Sequence, residues 1–276
     1  MKDGLAIWHY PHRSTIENVL FFASRGFTSV SLLGSHMDDL CKRPDLAGLL
    51  AAIVREKELT LTVHSKLPAS HGEADVAAFR ASIEGYAAWQ REYGLISVLS
   101  FDVADAIRDN ITPYLQYVLD AVPGCKVAIE DFGLNPAERG QIECFKSKPR
   151  FGYLLDMGHM FIRLRGKNDR AALFRHSDEE APQSDTPGYD HFMSAFRSKE
   201  FPIFELHVHN NDGERDMHYF LEDGSLDIPM LARVIRDFGF DGVLTIESAP
   251  GFQFPCAYPE SDQRILETCR YWKSLF

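Results

Sequence analysis

Eight short runs of strand-forming residues alternate with segments of helical periodicity along the whole sequence. Strands that alternate with helices in this way form either a closed barrel or an open, doubly wound sheet. An open sheet usually has fewer strands and often a glycine-rich first turn, and the sequence contains no GxGxxG motif. The pattern therefore predicts a (β/α)8 TIM barrel in which residues 1–276 form a single domain. The predicted strands are residues 5–8, 29–33, 60–64, 95–100, 125–130, 151–156, 203–209 and 242–247.

Capping residues support the predicted helices between these strands. A capping box, an Asn-Pro pair and a capping aspartate each satisfy backbone amides at a helix start, and glycine commonly ends a helix. The predicted starts are Ser14 with Glu17, Asn135 before Pro136, and Asp227, and the predicted ends are Gly26 and the residue before Gly239.

The connection between the sixth and seventh strands is much longer than the others. Residues 160–200 include the segment HSDEEAPQSDTPGYD, which is typical of an extended loop. A long connection after a barrel strand predicts a lid or a substrate loop. The same region holds the basic stretch RLRGKNDR (163–170) with Arg175 after it, which is interpreted as a solvated helix face or a contact for a small anion.

The composition limits the function classes. The sequence is 45% hydrophobic and 25% charged, and no run of about 20 apolar residues predicts a membrane span. Its start, MKDGLAIWHYPHRS, lacks the apolar region of a secretory signal, and its five cysteines have no CxxC spacing. These features predict reduced thiols and a cytoplasmic protein. A net charge of −11 argues against a nucleic-acid partner, because phosphate contacts need Lys and Arg.

Five of the eight predicted strands end in a residue that can bind a metal ion. Alternate strand residues share a face, so Glu205 and His207 point to the same side as His209, and Thr62 to the same side as His64. The carboxyl ends of barrel strands hold the catalytic groups. Carboxylates that converge there lose hydration, which costs several kcal/mol for each unpaired ion, and a divalent cation removes that cost. The five residues are His64, Glu130, Asp156, His209 and Glu247.

The donor types predict a divalent metal ion. Two Glu, one Asp and one His form a mixed oxygen and nitrogen set that suits Mn²⁺, Zn²⁺, Mg²⁺ or Co²⁺, and the ligands alone do not choose among them. A second group of acids and imidazoles follows the sixth and seventh strands. It either holds a second ion, contacts the substrate or supports the first ligands by hydrogen bonds, and these alternatives stay open. Its members are His159, Asp216 and His218.

These motifs resemble the xylose isomerase-like TIM barrel superfamily, which includes sugar isomerases, sugar epimerases and endonuclease IV. The resemblance spans nearly the whole chain and is most specific in residues 125–250. It is carried by Glu130, by DMGH (156–159), by HVHNND (207–212), by DMH (216–218) with Gly224 and Asp227, and by IES (246–248). It implies that Glu130, Asp156, His209 and Glu247 are the metal ligands, and that the two glutamates exchange protons with substrate carbons.

The resemblance also shows two departures. Endonuclease IV has a histidine on the fourth strand, whereas this chain reads VLSFD (98–102), so that Asp102 is the residue available in its place. Glu222 stands where many relatives have the first of two spaced glycines. The positions that match further zinc ligands of endonuclease IV are His64, His159, Asp216 and His218.

We therefore expect a divalent-metal-dependent isomerase or epimerase that acts on a sugar or related polyol through an enediolate. Of Glu130 and Glu247, one removes the proton next to the carbonyl and the other returns a proton. His64 and His159 are expected to bind substrate oxygens. Three rings that follow strand ends either wall the substrate or pack at the rim, and they are Trp8, His9 and Phe132.

Three alternative functions stay open. A dehydratase of the dehydroshikimate type begins with the same proton removal. A phosphodiesterase that resembles endonuclease IV and cleaves abasic DNA uses the same acids and histidines, although the negative net charge opposes it. A barrel that binds a metal for stability, or that senses a sugar, is less favoured because structural sites usually close their coordination with Cys and His. Family habit suggests a homo-oligomer.

Overall fold

Eight parallel strands form a closed barrel in the computed structural model, which describes residues 1–7, 10, 12–131, 134–165, 187–248 and 258–276. The strands are β1 (Lys2–Ala6), β2 (Ser29–Leu33), β3 (Thr60–Lys66), β4 (Ile96–Asp102), β5 (Lys126–Glu130), β6 (Phe151–Asp156), β7 (Ile203–Val208) and β8 (Val243–Ile246). They pair in chain order, and β8 pairs with β1 to close the cylinder. The predicted (β/α)8 barrel is confirmed.

Helices connect the strands along the outside of the barrel. They are α1 (Thr15–Ala23), α2 (Gly34–Cys41), α3 (Pro44–Glu56), α4 (Glu73–Tyr93), α5 (Thr112–Ala121), α6 (Pro136–Ile142), α7 (Met157–Leu164), α8 (Tyr189–Arg197), α9 (Ile228–Phe238) and α10 (Tyr258–Lys273). Two short 3₁₀ turns lie at Asp105–Ile107 and Glu143–Phe145. Among the helices that the structure describes, none combines the length and apolar character needed to cross a membrane.

The predicted capping residues at helix starts act as expected, whereas α1 ends at Ala23, three residues before the predicted end at Gly26. The Ser14 hydroxyl accepts a hydrogen bond from the Glu17 amide at 3.3 Å, and the Glu17 carboxylate accepts one from the Ser14 amide at 2.8 Å. The side chains of Asn135 and Asp227 likewise accept backbone amides in the first turns of α6 and α9. Helix α9 ends at Gly239, whose φ of +76° is a conformation that glycine adopts without strain.

Three strands, β1, β3 and β4, differ from the predicted boundaries by two or three residues, and β3 extends to Lys66. Strand β1 begins at Lys2 because Lys2 pairs with Val243 of β8, and the polar start of this strand gave no hydrophobic signal. Gly4 belongs to the same strand, and a Cβ there would lie 2.7 Å from Ser29 Cβ, so glycine permits the close approach of β2. Strand β4 extends to Asp102, two residues past its predicted end.

The long connection between β6 and β7 is helical at both ends. Helices α7 and α8 occupy residues 157–164 and 189–197, where an extended loop was predicted from residue 160 to residue 200. Residues 166–186, the centre of the predicted lid, lie outside the described residues, so the lid stays a prediction.

The interior of the barrel changes from apolar to polar toward the carboxyl ends of the strands. A small apolar cluster, separate from the main core, consists of Val98, Ala128, Leu154 and Phe204. Elsewhere in the barrel strands, polar groups stand in place of the branched aliphatic side chains that usually fill a barrel. These polar residues are 1% exposed or less, and they include Ser31, Thr62, Ser100, Glu205, His207 and Thr245.

Candidate metal centre

The five metal-capable residues predicted at strand ends lie at the carboxyl-terminal rim of the barrel, because parallel strands bring their ends to one side. His64 is in β3, Glu130 and Asp156 are the last residues of β5 and β6, and His209 and Glu247 directly follow β7 and β8. All five are at most 5% exposed. The loop after β7 adds Asp216 and His218, and α7 adds His159.

The donor atoms fall into four overlapping groups, and within each group they lie within 4.8 Å of one another. The predicted ligands Asp156, His209 and Glu247 form one group. Glu130 belongs instead to a neighbouring group with Asp156 and His159, so Asp156 joins it to the other predicted ligands. The remaining groups are His64 with Asp102 and Glu130, and His159 with His209, Asp216 and His218.

Asp156 shows how well this centre fits a cation. Its Oδ1 accepts the His159 amide at 2.8 Å and lies 3.0 Å from His209 Nε2. Its Oδ2 is buried and accepts no hydrogen bond from any described residue. A buried polar atom without a partner costs about 1–3 kcal/mol, which coordination to a divalent ion would offset.

Glu130 lies where negative charge is under-compensated. Its Oε1 is 2.8 Å from His159 Nδ1, and its Oε2 is 3.5 Å from His64 Nε2. Burial and the neighbouring charge of Asp102 raise the pKa of Glu130 to about 7, despite the hydrogen bond from His159. An ion of double positive charge would relieve this repulsion, and the donor set of carboxylates and imidazoles suits such an ion.

Asp216 gathers three imidazoles around one oxygen. Its Oδ1 lies 3.1 Å from His159 Nε2, 3.1 Å from His218 Nε2 and 3.7 Å from His209 Nε2. The rings of His209 and His218 are stacked with centroids 3.9 Å apart and an angle of 13° between them. This nitrogen-rich arrangement differs from the carboxylate-rich surroundings of Glu130, and imidazole-rich sites suit zinc.

Two imidazoles of the centre, those of His159 and His218, have raised pKa values. Burial alone lowers the pKa of His218, but Asp216 and Glu247 outweigh burial and raise it to about 10. The carboxylates of Asp156 and Asp216 likewise raise the pKa of His159 well above its ordinary value, against the effect of burial. A metal ion needs neutral imidazole ligands, so its binding here must displace protons.

Small and amide side chains shape the rim; they lie in the sequence motifs, but their contacts were not predicted. A Cβ on Gly158 would lie 2.1 Å from His209 Cε1, so only glycine lets α7 approach this ring. Asn210 folds the following loop by donating to Leu221 O at 2.7 Å. Its Oδ1 accepts the Leu226 amide at 2.9 Å, and a Cβ on Gly224 would lie 2.1 Å from that oxygen. The spacing DMGH could have pointed to Gly158, whereas the contacts of Asn210 have no local signal.

The chain matches a known family over most of its length. The model of the family described as xylose isomerase-like TIM barrel matches residues 21–275. The chain belongs to the xylose isomerase-like TIM barrel family. The family assignment that the sequence motifs predicted is therefore confirmed.

Solved structures share the fold of this xylose isomerase-like barrel at low sequence identity. A D-tagatose 3-epimerase-like protein has a TM-score of 0.68 and 18% identity, with 99% of each chain covered. A D-psicose 3-epimerase crystallised in the presence of D-fructose has a TM-score of 0.69 and 13% identity, covering 100% of this chain and 99% of that one. The IOLI protein with a bound zinc atom has a TM-score of 0.68 and 14% identity over the same shares. No curated protein matches the sequence.

On the fourth strand, where endonuclease IV has a histidine, this xylose isomerase-like barrel has an acid, Asp102. Asp102 Oδ1 lies 3.2 Å from His64 Nε2, and Ser100 Oγ lies 3.0 Å from His64 Nδ1. Ser100 and Asp102 share one face of β4, so alternation could have found both residues if the strand had been extended to residue 102. The second departure, Glu222, accepts a hydrogen bond from Thr268 of α10.

Some predicted residues make internal contacts or lie outside the described residues. Arg163, from the basic stretch, lies 3.6 Å from Asp131, and Arg165 donates to Asp212 O at 3.3 Å. These two arginines therefore serve the fold of the rim. Trp8, His9, Phe132 and Arg175 lie outside the described residues, so their predicted roles are untested.

Proposed function

We propose that this member of the family is a divalent-metal-dependent isomerase or epimerase that acts on a sugar or related polyol. The observation that carries the proposal is the pair of buried carboxylates, Glu130 and Glu247, in neighbouring donor groups that share Asp156. The printed names of two structural neighbours, a D-tagatose 3-epimerase-like protein and a D-psicose 3-epimerase, support the same class of reaction.

We infer that one divalent ion is held by Glu130, Asp156, His209 and Glu247. Mn²⁺, Zn²⁺, Mg²⁺ and Co²⁺ all suit these donors, and the zinc atom of the IOLI protein supports a metal at this rim. When bound, the ion polarises a carbonyl and its adjacent hydroxyl as a Lewis acid. A second ion, or substrate oxygens, would be held by the remaining residues: His64, His159, Asp216 and His218.

The two glutamates carry the proton transfers. One carboxylate removes the proton from the carbon next to the carbonyl, and the other returns a proton to the neighbouring carbon or to the opposite face. His159 and His64 hold Glu130 through their contacts of 2.8 Å and 3.5 Å, while His207 Nδ1 holds Glu247 at 3.0 Å. Each positioned acid or base typically contributes about 10²–10⁴-fold to the rate.

A ketose panel tests the proposal. Purified protein loaded with Mn²⁺ is incubated with D-fructose, D-tagatose and D-psicose, and the products are separated by chromatography. We expect an epimer or isomer of at least one sugar, and a Glu247→Gln variant that is about 10²–10⁴-fold slower. Glu92→Gln, on the exposed end of α4, is the matched control and retains activity. Full turnover by Glu247→Gln would show that the two-glutamate mechanism is wrong, and a dehydrated product would assign the chain to the lyases.

Cleavage of abasic DNA is the second candidate. It is favoured by the donor groups beyond those that one ion needs, including the pairing of His64 with Asp102. The net charge of −11 and the internal contacts of Arg163 and Arg165 oppose it. Incision of an abasic duplex that EDTA abolishes would establish this activity, and intact DNA alongside sugar turnover would exclude it.

Location and assembly are also proposals. We expect a cytoplasmic homo-oligomer without a nucleic-acid partner, which cell fractionation and light scattering can test. A purely structural metal would instead give a protein that unfolds on metal removal and turns over no sugar.

A further inference from the structure

A carboxylate and an imidazole lie inside the barrel beneath the metal centre. Glu205 is 0% exposed and His207 is 1% exposed, at positions where barrels usually carry branched aliphatic side chains. Removing an ion from water costs several kcal/mol unless it is paired and hydrogen-bonded. We therefore expect both side chains to have charged or hydrogen-bonding partners inside the barrel.

Glu205 is held from two other strands. Thr62 Oγ1 of β3 and Thr245 Oγ1 of β8 each donate a hydrogen bond to Glu205 Oε1 at 2.9 Å. Strand β8 neighbours β7, whereas β3 does not pair with it, so the carboxylate is fixed from across the barrel as well as from its own side. Two hydroxyl donors on one oxygen leave Glu205 little freedom to rotate.

His207 lies between Glu205 and the candidate catalytic carboxylate. Its Nε2 is 3.5 Å from Glu205 Oε1, an ion-pair distance, and its Nδ1 is 3.0 Å from Glu247 Oε2, a hydrogen-bond distance. The His64 ring packs edge-on against it with centroids 5.1 Å apart. These contacts fix the imidazole plane, because both nitrogens face a carboxylate and the His64 ring packs against it.

We propose that His207 is the positioning residue for Glu247, and that Glu205 anchors His207. In this arrangement Nδ1–H of His207 holds Glu247 Oε2, and Glu247 Oε1 is the oxygen presented to the metal ion and the substrate. The line of Glu205, His207 and Glu247 thus connects the floor of the polar interior to the rim. The proposal deepens the proposed function, on which it rests for the chemistry of Glu247.

Two amide substitutions separate positioning from packing. His207→Asn places its amide nitrogen near the former Nδ1 and can still donate to Glu247, whereas His207→Gln reaches toward the former Nε2 and Glu205. Outer partners of metal ligands typically account for about 10–100-fold in metal affinity. We expect His207→Gln and His207→Leu to bind Mn²⁺ about 10–100-fold more weakly in calorimetry, and His207→Asn to recover most of the affinity. Equal affinity in the Asn and Gln variants would overturn the proposal.

A measurement on the unmutated protein covers the case in which a variant fails to fold. In ¹⁵N-histidine spectra the proposal requires a proton on His207 Nδ1, and an unprotonated Nδ1 would overturn it. Glu205→Gln gives a second test, because the amide oxygen can keep both threonine hydrogen bonds while the charge facing His207 is lost. We expect this variant to bind Mn²⁺ more weakly than the unmutated protein. Unchanged affinity would show that Glu205 does not anchor His207.

Failure of this inference can be told apart from failure of the proposed function. Mn²⁺ binding is measured without any sugar, so weaker binding by His207→Gln supports the positioning role even if no ketose is converted. Conversely, sugar turnover with full Mn²⁺ affinity in His207→Leu would keep the proposed function and overturn the role of His207. Where a sugar is converted, His207→Asn is expected to restore kcat with KM little changed, as a positioning role requires.

Discussion

Glu130 and Asp131 are consecutive carboxylates at the end of β5, and their surroundings differ completely. Glu130 faces the barrel rim, where its neighbours include Asp102 and His159. Asp131 faces the outside of the barrel, where Lys199 forms a close ion pair with it. Arg163 at 3.6 Å and Arg139 at 3.4 Å complete the cluster around Asp131. Strand alternation thus sends two adjacent acids into opposite electrostatic environments.

The pKa values of the two acids follow these environments. Burial and the charge of Asp102 raise the pKa of Glu130 to about 7. Burial would also raise the pKa of Asp131, but Lys199 and Arg163 outweigh it and hold the pKa below its ordinary value. The charge of Asp131 is compensated by the cationic side chains around it, and these ion pairs stabilise the fold. Glu130 instead faces another acid, so its charge calls for a bound metal ion. This difference distinguishes the candidate metal centre from the surrounding fold.

The largest expected effect comes from replacing each acid by its amide. Asp131→Asn leaves the buried Lys199 without its partner, which should lower the free energy of unfolding by about 3–5 kcal/mol in urea titrations. Its Mn²⁺ affinity should be unchanged. Glu130→Gln should do the reverse, weakening Mn²⁺ binding while leaving the stability of the metal-free protein equal or higher. The comparison fails if both variants lose stability and metal affinity in parallel.

Asp156→Asn tests the residue shared by two donor groups. The amide keeps one oxygen but loses the charge and the second carboxylate oxygen that the buried centre offers. We expect Mn²⁺ affinity to fall by about 100-fold or more, since even outer partners of ligands account for 10–100-fold. Calorimetric titration measures the change, with Asp131→Asn as the control. An affinity within threefold of the unmutated protein would remove Asp156 from the ligand set.

Metal binding should depend on pH. The raised pKa values of His159 and His218, the latter to about 10, mean that these imidazoles carry protons at neutral pH in the metal-free protein. A second ion held by these histidines displaces those protons, so the affinity for that ion should rise with pH by about tenfold per unit for each proton released. Calorimetry in two buffers of different ionisation enthalpy counts the protons. Binding without proton release would place the ion away from these histidines.

Arg139→Ala should have the smallest effect. Arg139 is partly exposed and lies 3.4 Å from Asp131, while Lys199 and Arg163 remain in place. A partly solvated ion pair contributes less than about 1 kcal/mol, so the urea midpoint should move only slightly. A loss as large as that of Asp131→Asn would mean that Lys199 is not the main partner of Asp131.

The sequence predicted those features of the fold and of the site that depend on local patterns of residues. Strand alternation and strand ends predicted the barrel and brought His64, Asp156 and Glu247 to one rim. The partners that complete the site come from distant segments and depend on how the barrel closes. Thr62 reaches Glu205 across the interior, and Lys199 reaches Asp131 over 68 residues of sequence.

Asp102 has both a local sequence signal and a contact that depends on how the barrel closes. It could be predicted as an acid after β4, but the strand was predicted to end at residue 100 because a polar residue interrupts the hydrophobic run there. Only the register of β4 against β3, in which Asp102 pairs with Lys66, carries the strand far enough to bring Asp102 to His64. Side-chain alternation is local, whereas register is a property of the closed sheet.

The proposed function depends on a divalent ion bound by the acids and imidazoles of the rim. Crystals grown with Mn²⁺ and measured for anomalous scattering test it most directly. We expect an anomalous peak within about 2.0–2.3 Å of oxygen or nitrogen donors. Those donors should belong to Asp156, His209 and Glu247, with Glu130 completing the shell. A map with no peak at this rim, from protein that binds Mn²⁺ elsewhere or not at all, would show that these residues do not hold the ion.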